Sequence, residues 1–480
     1  FQNFNYLLEL EIMNKRIYLI LEVKKRELDS RCYFAIKACL QGYSVMISKK
    51  ESFYKNKNYL KSGLVFLKSY GPNYYNEIKK IKKIGHQICA MDEEGIMYFS
   101  EEDYIERRIF NKNLDYLDYI FTWGSDDHKI VSNALGKYQN KVFKTGSPRI
   151  DVLKKPVSEI YQNEAKEIKK KYQDFFLFNT FFTYTNHFYK KDANDNFETL
   201  QAKGFTKDSS IYKTGMQMRA LQEKVLREAI IFVEKFAIKF SDKKLVIRPH
   251  PSENHELWFN LSKKYKNIET IYDERSACSW IMASEFAISS NCTTSVEAFL
   301  LGKLNYNFRP FKDNDVEFKL PKFTGINVAS ADEMLQKIDN FSKPNIDHDN
   351  YKNDYEKKIS DLDNYFENLN ESSCSIENII NIIEKSKEFK IIKKKDSYSG
   401  YIFFYYLKLL RKINIFIPYL RNFFNKSEDL DTKYAIQKFP DLSKNELKNR
   451  IKEISNVMKL KENFKITEKF PGSFLIEKEG

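Results

Sequence analysis

Short runs of apolar residues alternate with longer amphipathic stretches through the first third of the chain. Helix-like stretches such as SRCYFAIKACLQG (30–42) separate the runs. The runs are RIYLILEV (16–23), YSVMIS (43–48), SGLVFLKS (62–69), HQICAM (86–91), YIFTWG (119–124) and KVFKTG (141–146). Strands that alternate with helices form βαβ units around a parallel sheet. Residues 13–150 are therefore predicted to form a Rossmann-like domain.

The same pattern starts again after residue 150. Its apolar runs are FFLFNTFF (175–182), KLVIRPHP (244–251), IETIYD (268–273), SEFAIS (284–289) and LNYNFRP (304–310). A long amphipathic helix is expected near 215–240, and residues 151–335 are predicted to form a second Rossmann-like domain. The predicted fold class is α/β, with two such domains facing a cleft. Because ligands of open parallel sheets bind beyond the carboxyl ends of the strands, chemistry is expected in motifs at strand ends.

Residues 336–480 are predicted to form a helical, basic and aromatic C-terminal extension. The segment YIFFYYLKLLRKINIFIPYL (401–420) is its most apolar part, and the helix is expected to continue to residue 424. Three cations and a proline interrupt the segment: Lys408, Arg411, Lys412 and Pro418. We therefore expect a helix that lies on an anionic membrane face rather than one that spans the bilayer. Further on, Ser443-x-x-Glu446 matches a helix capping box.

Composition and charge narrow the class of protein. The chain has 480 residues, of which 42% are hydrophobic and 15% aromatic, so it is not an intrinsically disordered protein. Its net charge of +14 indicates an anionic partner, either nucleic acid, a phosphate-bearing substrate or an anionic membrane. The sequence contains no helix-turn-helix, zinc-finger or RNA-binding strand motif. A nucleic-acid partner is therefore not expected.

The cysteines and the first residues of the chain indicate the cellular compartment of the protein. The six cysteines are scattered without a CxxC pair, which is typical of reduced thiols in a cytoplasmic protein. The opening FQNFNYLLELEI lacks the basic region and cleavage site of a signal peptide, and a strand pattern begins soon after Met13. We expect a cytoplasmic protein and treat residues 1–12 as an upstream extension.

The stretch LVIRPHPSEN (245–254) places a histidine at a predicted strand end. Pro249 and Pro251 restrict the backbone on both sides of His250, so its ring has little freedom. An imidazole held in this way can donate a hydrogen bond to a phosphate leaving group, and Arg248 adds a second cation. The alternative is a turn histidine without a functional role.

The stretch SSNCTTSVEAFLLGK (289–303) places hydroxyl and amide side chains between a strand and a helix. The candidate phosphate-binding residues are Ser290, Asn291, Thr293, Thr294 and Ser295. Hydroxyls and free backbone N–H groups at a helix N-terminus form an anion site. Glu297 is a candidate to accept hydrogen bonds from a ribose diol. Alternatively, Thr294-x-x-Glu297 is a capping box.

The stretch AMDEEGI (90–96) places three carboxylates after a predicted strand. Asp92, Glu93 and Glu94 precede Gly95 and are candidates for a general base that deprotonates an acceptor hydroxyl. An acidic surface turn is the alternative.

Two further stretches give weaker indications of phosphate or metal binding. In TGSPRID (145–151), the turn residues Gly146 and Ser147 and the cation Arg149 fit either a phosphate contact or, as we favour, a structural crossing in which Arg149 pairs with Asp151. DND (313–315) matches the metal-binding pattern of some sugar transferases. Such triplets are common in a chain rich in Asp and Asn, so no metal is expected.

Together, DEEG, RPHPSEN and SSNCTTSVEA resemble the bacterial surface carbohydrate (surface polysaccharide) biosynthesis protein family. The resemblance runs from about residue 13 to 310, with weaker similarities at VKKREL (23–28) and KFPDLS (438–443). It implies a GT-B glycosyltransferase with an acceptor-side domain at 13–150 and a domain at 151–335 that holds the donor nucleotide.

The three motifs are also similar to those of bacterial sialyltransferases and Kdo transferases. That likeness implies that Glu94 or Glu93 is the base, although Asp92 leaves the register open. It implies that His250 contacts the CMP phosphate and acts as the acid, and that Thr293, Thr294 and Ser295 hold this phosphate. The donor would be a CMP-activated 2-keto sugar acid, either a sialic-acid-like nonulosonate or Kdo. The acceptor would be a glycan or a lipid-linked glycan at the inner membrane face, and no metal or cofactor would be needed.

Other functions remain open. Polyol-phosphate transferases that use CDP-glycerol have a similar arrangement but typically carry a His-Gly motif in the first half, whereas here Gln87 follows His86. A glycosyltransferase that uses UDP- or GDP-sugars is a further alternative. A non-catalytic glycan-assembly protein would have to retain all three motifs without using them.

Overall fold

The computed structural model describes residues 15–189, 206–272, 275–341, 346–367, 374–386 and 430–479, together with residues 198, 201 and 369. The chain divides into two compact units. The first comprises Phe1–Gly95, Arg108–Val152 and Asn364–Gly480, and the second Ile96–Arg107 and Leu153–Asp363. Residues 1–12 and the predicted surface helix at 401–424 lie outside the described residues.

The first unit contains an eight-stranded sheet. Six of its strands are parallel: β1 (Arg16–Leu21), β2 (Ser44–Lys49), β3 (Leu64–Leu67), β4 (Gln87–Met91), β5 (Tyr119–Thr122) and β6 (Val142–Lys144). They lie in the order β2-β1-β3-β4-β5-β6. Strand β1 is buried at every position, as its uninterrupted apolar sequence requires of a central parallel strand.

The second unit contains a six-stranded parallel sheet. Its strands are β7 (Phe176–Asn179), β8 (Leu245–Arg248), β9 (Ile268–Thr270), β10 (Ala287–Ser289), β11 (Asn305–Phe308) and β12 (Ile326–Val328). They lie in the order β12-β11-β10-β7-β8-β9. The adjacent central strands β10, β7 and β8 therefore bring the two predicted nucleotide motifs to one edge of one sheet. The predicted α/β fold class with two Rossmann-like domains is confirmed.

Helices connect successive strands, because parallel neighbours require a crossover. Those at 24–152 are α1 (Lys24–Leu40), α2 (Lys50–Asn56), α3 (Tyr75–Lys83), α4 (Glu101–Arg108), α5 (Asn111–Leu114), α6 (Ser125–Leu135) and α7 (Pro148–Asp151). Those at 159–361 are α8 (Glu159–Tyr172), α9 (Ser210–Lys239), α10 (Glu256–Lys264), α11 (Ala277–Ala283), α12 (Thr293–Leu300), α13 (Lys319–Thr324), α14 (Ala331–Asn340) and α15 (Ile346–Asp361). The remainder are α16 (Ser375–Lys385), α17 (Leu430–Lys438) and α18 (Lys444–Val457). Among the described residues, no helix is long and apolar enough to cross a membrane.

The C-terminal residues complete the first sheet. Strands β13 (Phe464–Phe470) and β14 (Ser473–Lys478) form an antiparallel hairpin, and β14 pairs with β2. The extension predicted as helical therefore also contains these two strands, which the sequence pattern did not predict. The physical reason is the edge of β2, whose backbone groups would otherwise lack partners from a neighbouring strand.

The two weaker similarities of the sequence meet in this region. The Lys24 side chain is only 1% exposed, and its Nζ lies 2.7 Å from a carboxylate oxygen of Glu446 and 3.0 Å from the carbonyl oxygen of Asp441. Ser443 Oγ accepts a hydrogen bond from Glu446 N at 3.1 Å, which confirms the predicted N-cap. VKKREL and KFPDLS thus join α1 to the start of α18.

Candidate functional site

Three side chains lie side by side where the central strands of the second sheet end. In the strand register, Asn179 of β7 pairs with Ser289 of β10 on one side and with Arg248 of β8 on the other. Asn179 is 2% exposed. Among the described residues, neither its amide nitrogen nor its amide oxygen has a hydrogen-bond partner, and the same is true of Ser289 Oγ. Burying polar groups without hydrogen bonds costs free energy, and a polar ligand could supply the missing bonds. This edge of the sheet therefore suits a polar ligand.

The turn between β10 and α12 adds to this set. Asn291 has a positive φ of 48°, a left-handed conformation that Asn tolerates better than most residues. Its Oδ1 accepts from Phe318 N at 2.9 Å, and its backbone N donates to Asn307 Oδ1 at 3.1 Å. Its Nδ2 is buried without a hydrogen-bond partner among the described residues. The turn is thus fixed while one amide donor stays uncommitted.

The N-terminus of α12 differs from the predicted capping box. The helix begins at Thr293, its N-cap residue is Cys292, and the Cys292 side chain makes no capping hydrogen bond. Thr294 lies inside the first turn, so Thr294-x-x-Glu297 is not a capping box and that alternative is wrong. Glu297 is half-buried in the second turn. A helix start without a side-chain cap suits an anion.

The predicted phosphate-binding hydroxyls are not equivalent. Thr294 Oγ1 is buried without a hydrogen-bond partner among the described residues. Ser295 is completely buried, and its Oγ donates to Asn305 Oδ1 at 2.7 Å and lies 3.2 Å from Thr324 Oγ1. The Ser295 hydroxyl therefore stabilises the core instead of facing a ligand. Ser290 is buried, and Thr293 is half-buried.

His250 follows β8 with a defined ring orientation. Its Nδ1 accepts a hydrogen bond from Ser252 N at 3.1 Å, and the ring of Phe181 packs against it edge-on at 5.3 Å. Since Nδ1 acts as an acceptor, the proton of the neutral ring is on Nε2. The ring is thereby set as a hydrogen-bond donor through Nε2. Pro251 is half-buried beside it.

Glu253 organises this loop, and sequence reasoning missed it. Its completely buried carboxylate accepts from Thr180 Oγ1 at 2.7 Å, Trp258 Nε1 at 3.0 Å and Phe182 N at 3.0 Å. Burial raises the pKa of Glu253, and these hydrogen bonds offset part of that effect. The available signal was an acidic residue three positions after His250 and five before Trp258.

A pocket opens beside the strand ends. It has a volume of about 340 Å³, including space open to solvent. Phe181, Ser290 and Asn291 line one part of it, and Arg309 and Glu317 line another. Because Arg309 and Glu317 are ion-paired at 2.5 Å, they neutralise each other. Of the residues with an uncommitted buried polar group, Asn291 lines this pocket.

In the first unit, the acidic loop follows β4. Glu93 is buried and pairs with Arg31 at 2.7 Å. Burial alone would raise the pKa of Glu93, but Arg31 and then Arg149 outweigh burial and lower it. Glu93 is therefore an ion-pair partner of Arg31 and is held in its charged form.

Glu94 and Asp92 differ from each other in exposure and pKa. The Glu94 side chain is 44% exposed and pairs with Arg108 at 2.8 Å and Arg26 at 3.1 Å. Burial of its surroundings opposes ionisation, but these two arginines hold the pKa of Glu94 well below its usual range. Asp92 is buried 3.4 Å from Arg108, and burial raises its pKa. Asp92 is thus the buried carboxylate with the raised pKa, and Glu94 is the more accessible carboxylate.

The stretch TGSPRID is a structural turn. Gly146 has a φ of 77°, and a Cβ there would lie 2.4 Å from Ser375 Oγ. Ser147 Oγ caps α7 by accepting from Arg149 N at 3.3 Å. Arg149 Nη1 donates to the carbonyl oxygen of Glu93 at 2.9 Å, so this arginine fixes the acidic loop.

No group of three or more His, Cys, Asp or Glu side chains arranged to hold a metal ion occurs in the described part of the chain. In DND, Asp313 Oδ1 accepts a hydrogen bond from Asp315 N at 3.2 Å, which is an ordinary turn interaction.

Comparison with known proteins gives structural likenesses only. No protein-family model and no curated protein sequence matches the chain. The wall teichoic acid polymerase TagF is 12% identical with a TM-score of 0.48, covering 79% of this chain and 92% of that one. UDP-GlcNAc 2-epimerase of Methanocaldococcus jannaschii, solved with UDP-GlcNAc and UDP, is 14% identical with a TM-score of 0.44, covering 77% and 100%. UDP-N-acetylglucosamine 2-epimerase of Rickettsia bellii is 12% identical with a TM-score of 0.42, covering 78% and 100%. This chain is similar in structure to all three.

Proposed function

We propose that the chain is a glycosyltransferase of surface polysaccharide biosynthesis whose second unit binds the phosphate of a nucleotide-activated sugar. The supporting observation is the set of uncommitted buried polar groups on Asn179, Ser289, Asn291 and Thr294, next to a helix start without a side-chain cap. Native proteins rarely keep several such groups together unless a ligand or water satisfies them. Most of these groups can donate hydrogen bonds, as recognition of a phosphate requires.

The donor we propose is a CMP-activated 2-keto sugar acid. Its leaving group has a single phosphate, on which negative charge increases as the bond to the sugar breaks. His250 Nε2 would donate a hydrogen bond to this phosphate, and the Thr294 hydroxyl would donate another. Donors fixed before the reaction stabilise the developing charge without reorganisation. This mechanism uses only side chains of the protein.

The acceptor we propose is a glycan or a lipid-linked glycan hydroxyl. A general base works best when its pKa approaches the working pH, and burial raises the pKa of Asp92. Asp92 would therefore take the proton of the acceptor, and Glu94 would hold Arg108 and Arg26 in place. The net charge of +14 suits an acidic donor and an anionic acceptor at the inner face of a membrane.

Nucleotide release from a panel of donors tests the proposal. The panel contains CMP-activated sialic acid, CMP-activated Kdo, CDP-glycerol, and UDP- and GDP-sugars, each with a lipid-linked glycan acceptor mixture. We expect release of CMP alone, and a loss of about 10²- to 10³-fold in His250→Ala. Turnover of CDP-glycerol would instead identify a polyol-phosphate transferase. Binding of nucleotides without turnover of any donor would contradict the proposed enzyme.

A further inference from the structure

More than half of the net positive charge lies in one short part of the first unit. Residues 49–83 contain ten lysines and two acidic residues, Glu51 and Glu77, and therefore carry +8 of the chain's +14. The lysines are Lys49, Lys50, Lys55, Lys57, Lys61, Lys68, Lys79, Lys80, Lys82 and Lys83. Such a concentration creates a local positive potential that the average composition does not reveal.

Helices α2 and α3 bring this charge to one side of the first sheet. The connections from β2 to β3 and from β3 to β4 cross the sheet in the same direction, so right-handed crossovers place α2 and α3 on the same face. The ring of Phe53 in α2 lies 6.4 Å from that of His86, which follows α3. Burial and then the charge of Lys80 lower the pKa of Lys57, so lysines of the two segments are electrostatic neighbours.

Four lysines of this face are exposed and carry unneutralised charge. Lys55, Lys79, Lys80 and Lys83 are exposed, and none of them forms an ion pair with a carboxylate of the described residues. Other lysines of the same stretch are committed: Lys50 and Lys68 pair with Glu22, and Lys82 pairs with Asp118. We name the four exposed residues the lysine face.

Half-exposed tyrosines accompany these lysines. Tyr54 and Tyr59 lie between the lysines at and after α2, and Tyr75 precedes those of α3, whereas the hydroxyl of Tyr74 donates to Glu22 at 3.1 Å. A tyrosine ring has an apolar body and a polar tip, which suits the boundary between lipid and water. Lysines near an anionic leaflet each add to the attraction.

We propose that the lysine face binds the surface of an anionic phospholipid bilayer. Two adjacent helices on one face of a sheet spread their charges over an area, which matches a membrane better than a narrow groove or a single phosphate. The proposal does not depend on the proposed enzymatic function. It also concerns residues other than the predicted surface helix at 401–424.

Co-flotation of the full chain with vesicles tests the proposal. Vesicles of phosphatidylcholine with 30% phosphatidylglycerol are compared with vesicles of pure phosphatidylcholine, at low and high salt. The test variant is Lys79→Glu/Lys80→Glu/Lys83→Glu. The matched control, Lys166→Glu/Lys170→Glu/Lys171→Glu, changes three exposed lysines of α8 and alters the net charge equally. Circular dichroism and thermal melting check that both variants are folded.

We expect binding to the anionic vesicles that is about tenfold weaker in the test variant, within about twofold of wild type in the control, and reduced by salt. Equal binding of the two variants would overturn the proposal, because net charge alone would then account for the attraction. Equal binding to neutral vesicles would also overturn it. So would binding of heparin or duplex DNA through the same lysines without binding to vesicles, since the partner would then be a soluble polyanion.

Discussion

At the scale of single residues, the neighbouring hydroxyls of Thr294 and Ser295 in α12 differ in their hydrogen bonding. Thr294→Val removes a buried hydroxyl without a hydrogen-bond partner among the described residues, so we expect the free energy of unfolding to rise or to change by less than about 0.5 kcal/mol. If this hydroxyl contacts phosphate, CMP affinity falls about tenfold. Thermal melting and calorimetry measure both quantities.

Ser295→Ala is the matched control for that prediction. It breaks buried hydrogen bonds to Asn305 and Thr324, so it should cost about 1–3 kcal/mol of stability with little effect on CMP affinity in the folded protein. The assignment of Thr294 to the phosphate would fail if the two variants bound CMP equally well.

Substitution of each carboxylate in turn distinguishes the roles of the three acidic residues in this loop. Asp92→Asn should lower turnover at least 10²-fold with nucleotide binding intact, because it removes the carboxylate with the raised pKa. Glu94→Gln should lower turnover less than tenfold. Glu93→Gln breaks a buried ion pair with Arg31 and should cost about 3 kcal/mol of stability. A larger loss of turnover in Glu94→Gln than in Asp92→Asn would reassign the base to Glu94.

Glu22 gives the first unit a defined acid sensitivity. Burial alone would raise its pKa, but Lys68 and Lys50 outweigh burial and hold it at about 2. Because the pKa is lower in the folded state, the stabilisation is complete above about pH 4.5 and is lost as the pH falls towards 2. Urea unfolding measures how much the free energy of unfolding falls between pH 5 and pH 3. This fall should be about 1 kcal/mol smaller in Glu22→Gln than in wild type. Parallel losses in the two proteins would contradict this role of Glu22.

At the scale of elements, strand β14 belongs to the core of the first sheet. Ile476 is completely buried and pairs with Val45 of β2, so Ile476→Ala should cost about 2–5 kcal/mol of stability. Lys465→Ala changes an exposed residue of β13 and should cost less than about 0.5 kcal/mol. Thermal melting compares the stability of the two variants. Equal melting temperatures would exclude β14 as a structural part of the sheet.

The elements also show what the sequence could predict. Parallel strands were predictable because strands such as RIYLIL are buried on both faces and lack polar interruptions. Strand β13 was missed because charged residues interrupt FKITEKF, and β14 was missed because its partner β2 lies more than 400 residues earlier in the chain. The strand-end motifs were predictable. The strand neighbours of Asn179 and the hydrogen-bond partners of Ser295 and Glu253 were not, because they depend on strand register and loop packing, which the local sequence does not determine.

At the scale of the whole molecule, the two units carry different functional groups. The second unit carries uncommitted polar groups and a fixed histidine at its strand ends, which suit a nucleotide phosphate. The first unit carries the acidic loop and, on another part of its surface, the lysine face. We propose that the second unit binds a cytidine nucleotide through His250 and α12, and the proposed donor, leaving group and reaction all depend on this binding.

Calorimetric titration with CMP, CDP, UDP and GDP tests that claim most directly, with wild type compared with His250→Ala. We expect CMP to bind most tightly and its affinity to fall about tenfold or more in His250→Ala, because the hydrogen bond from Nε2 is lost. A preference for UDP or GDP would contradict the cytidine donor. CMP binding that is unchanged in His250→Ala would contradict the role of His250 at the phosphate.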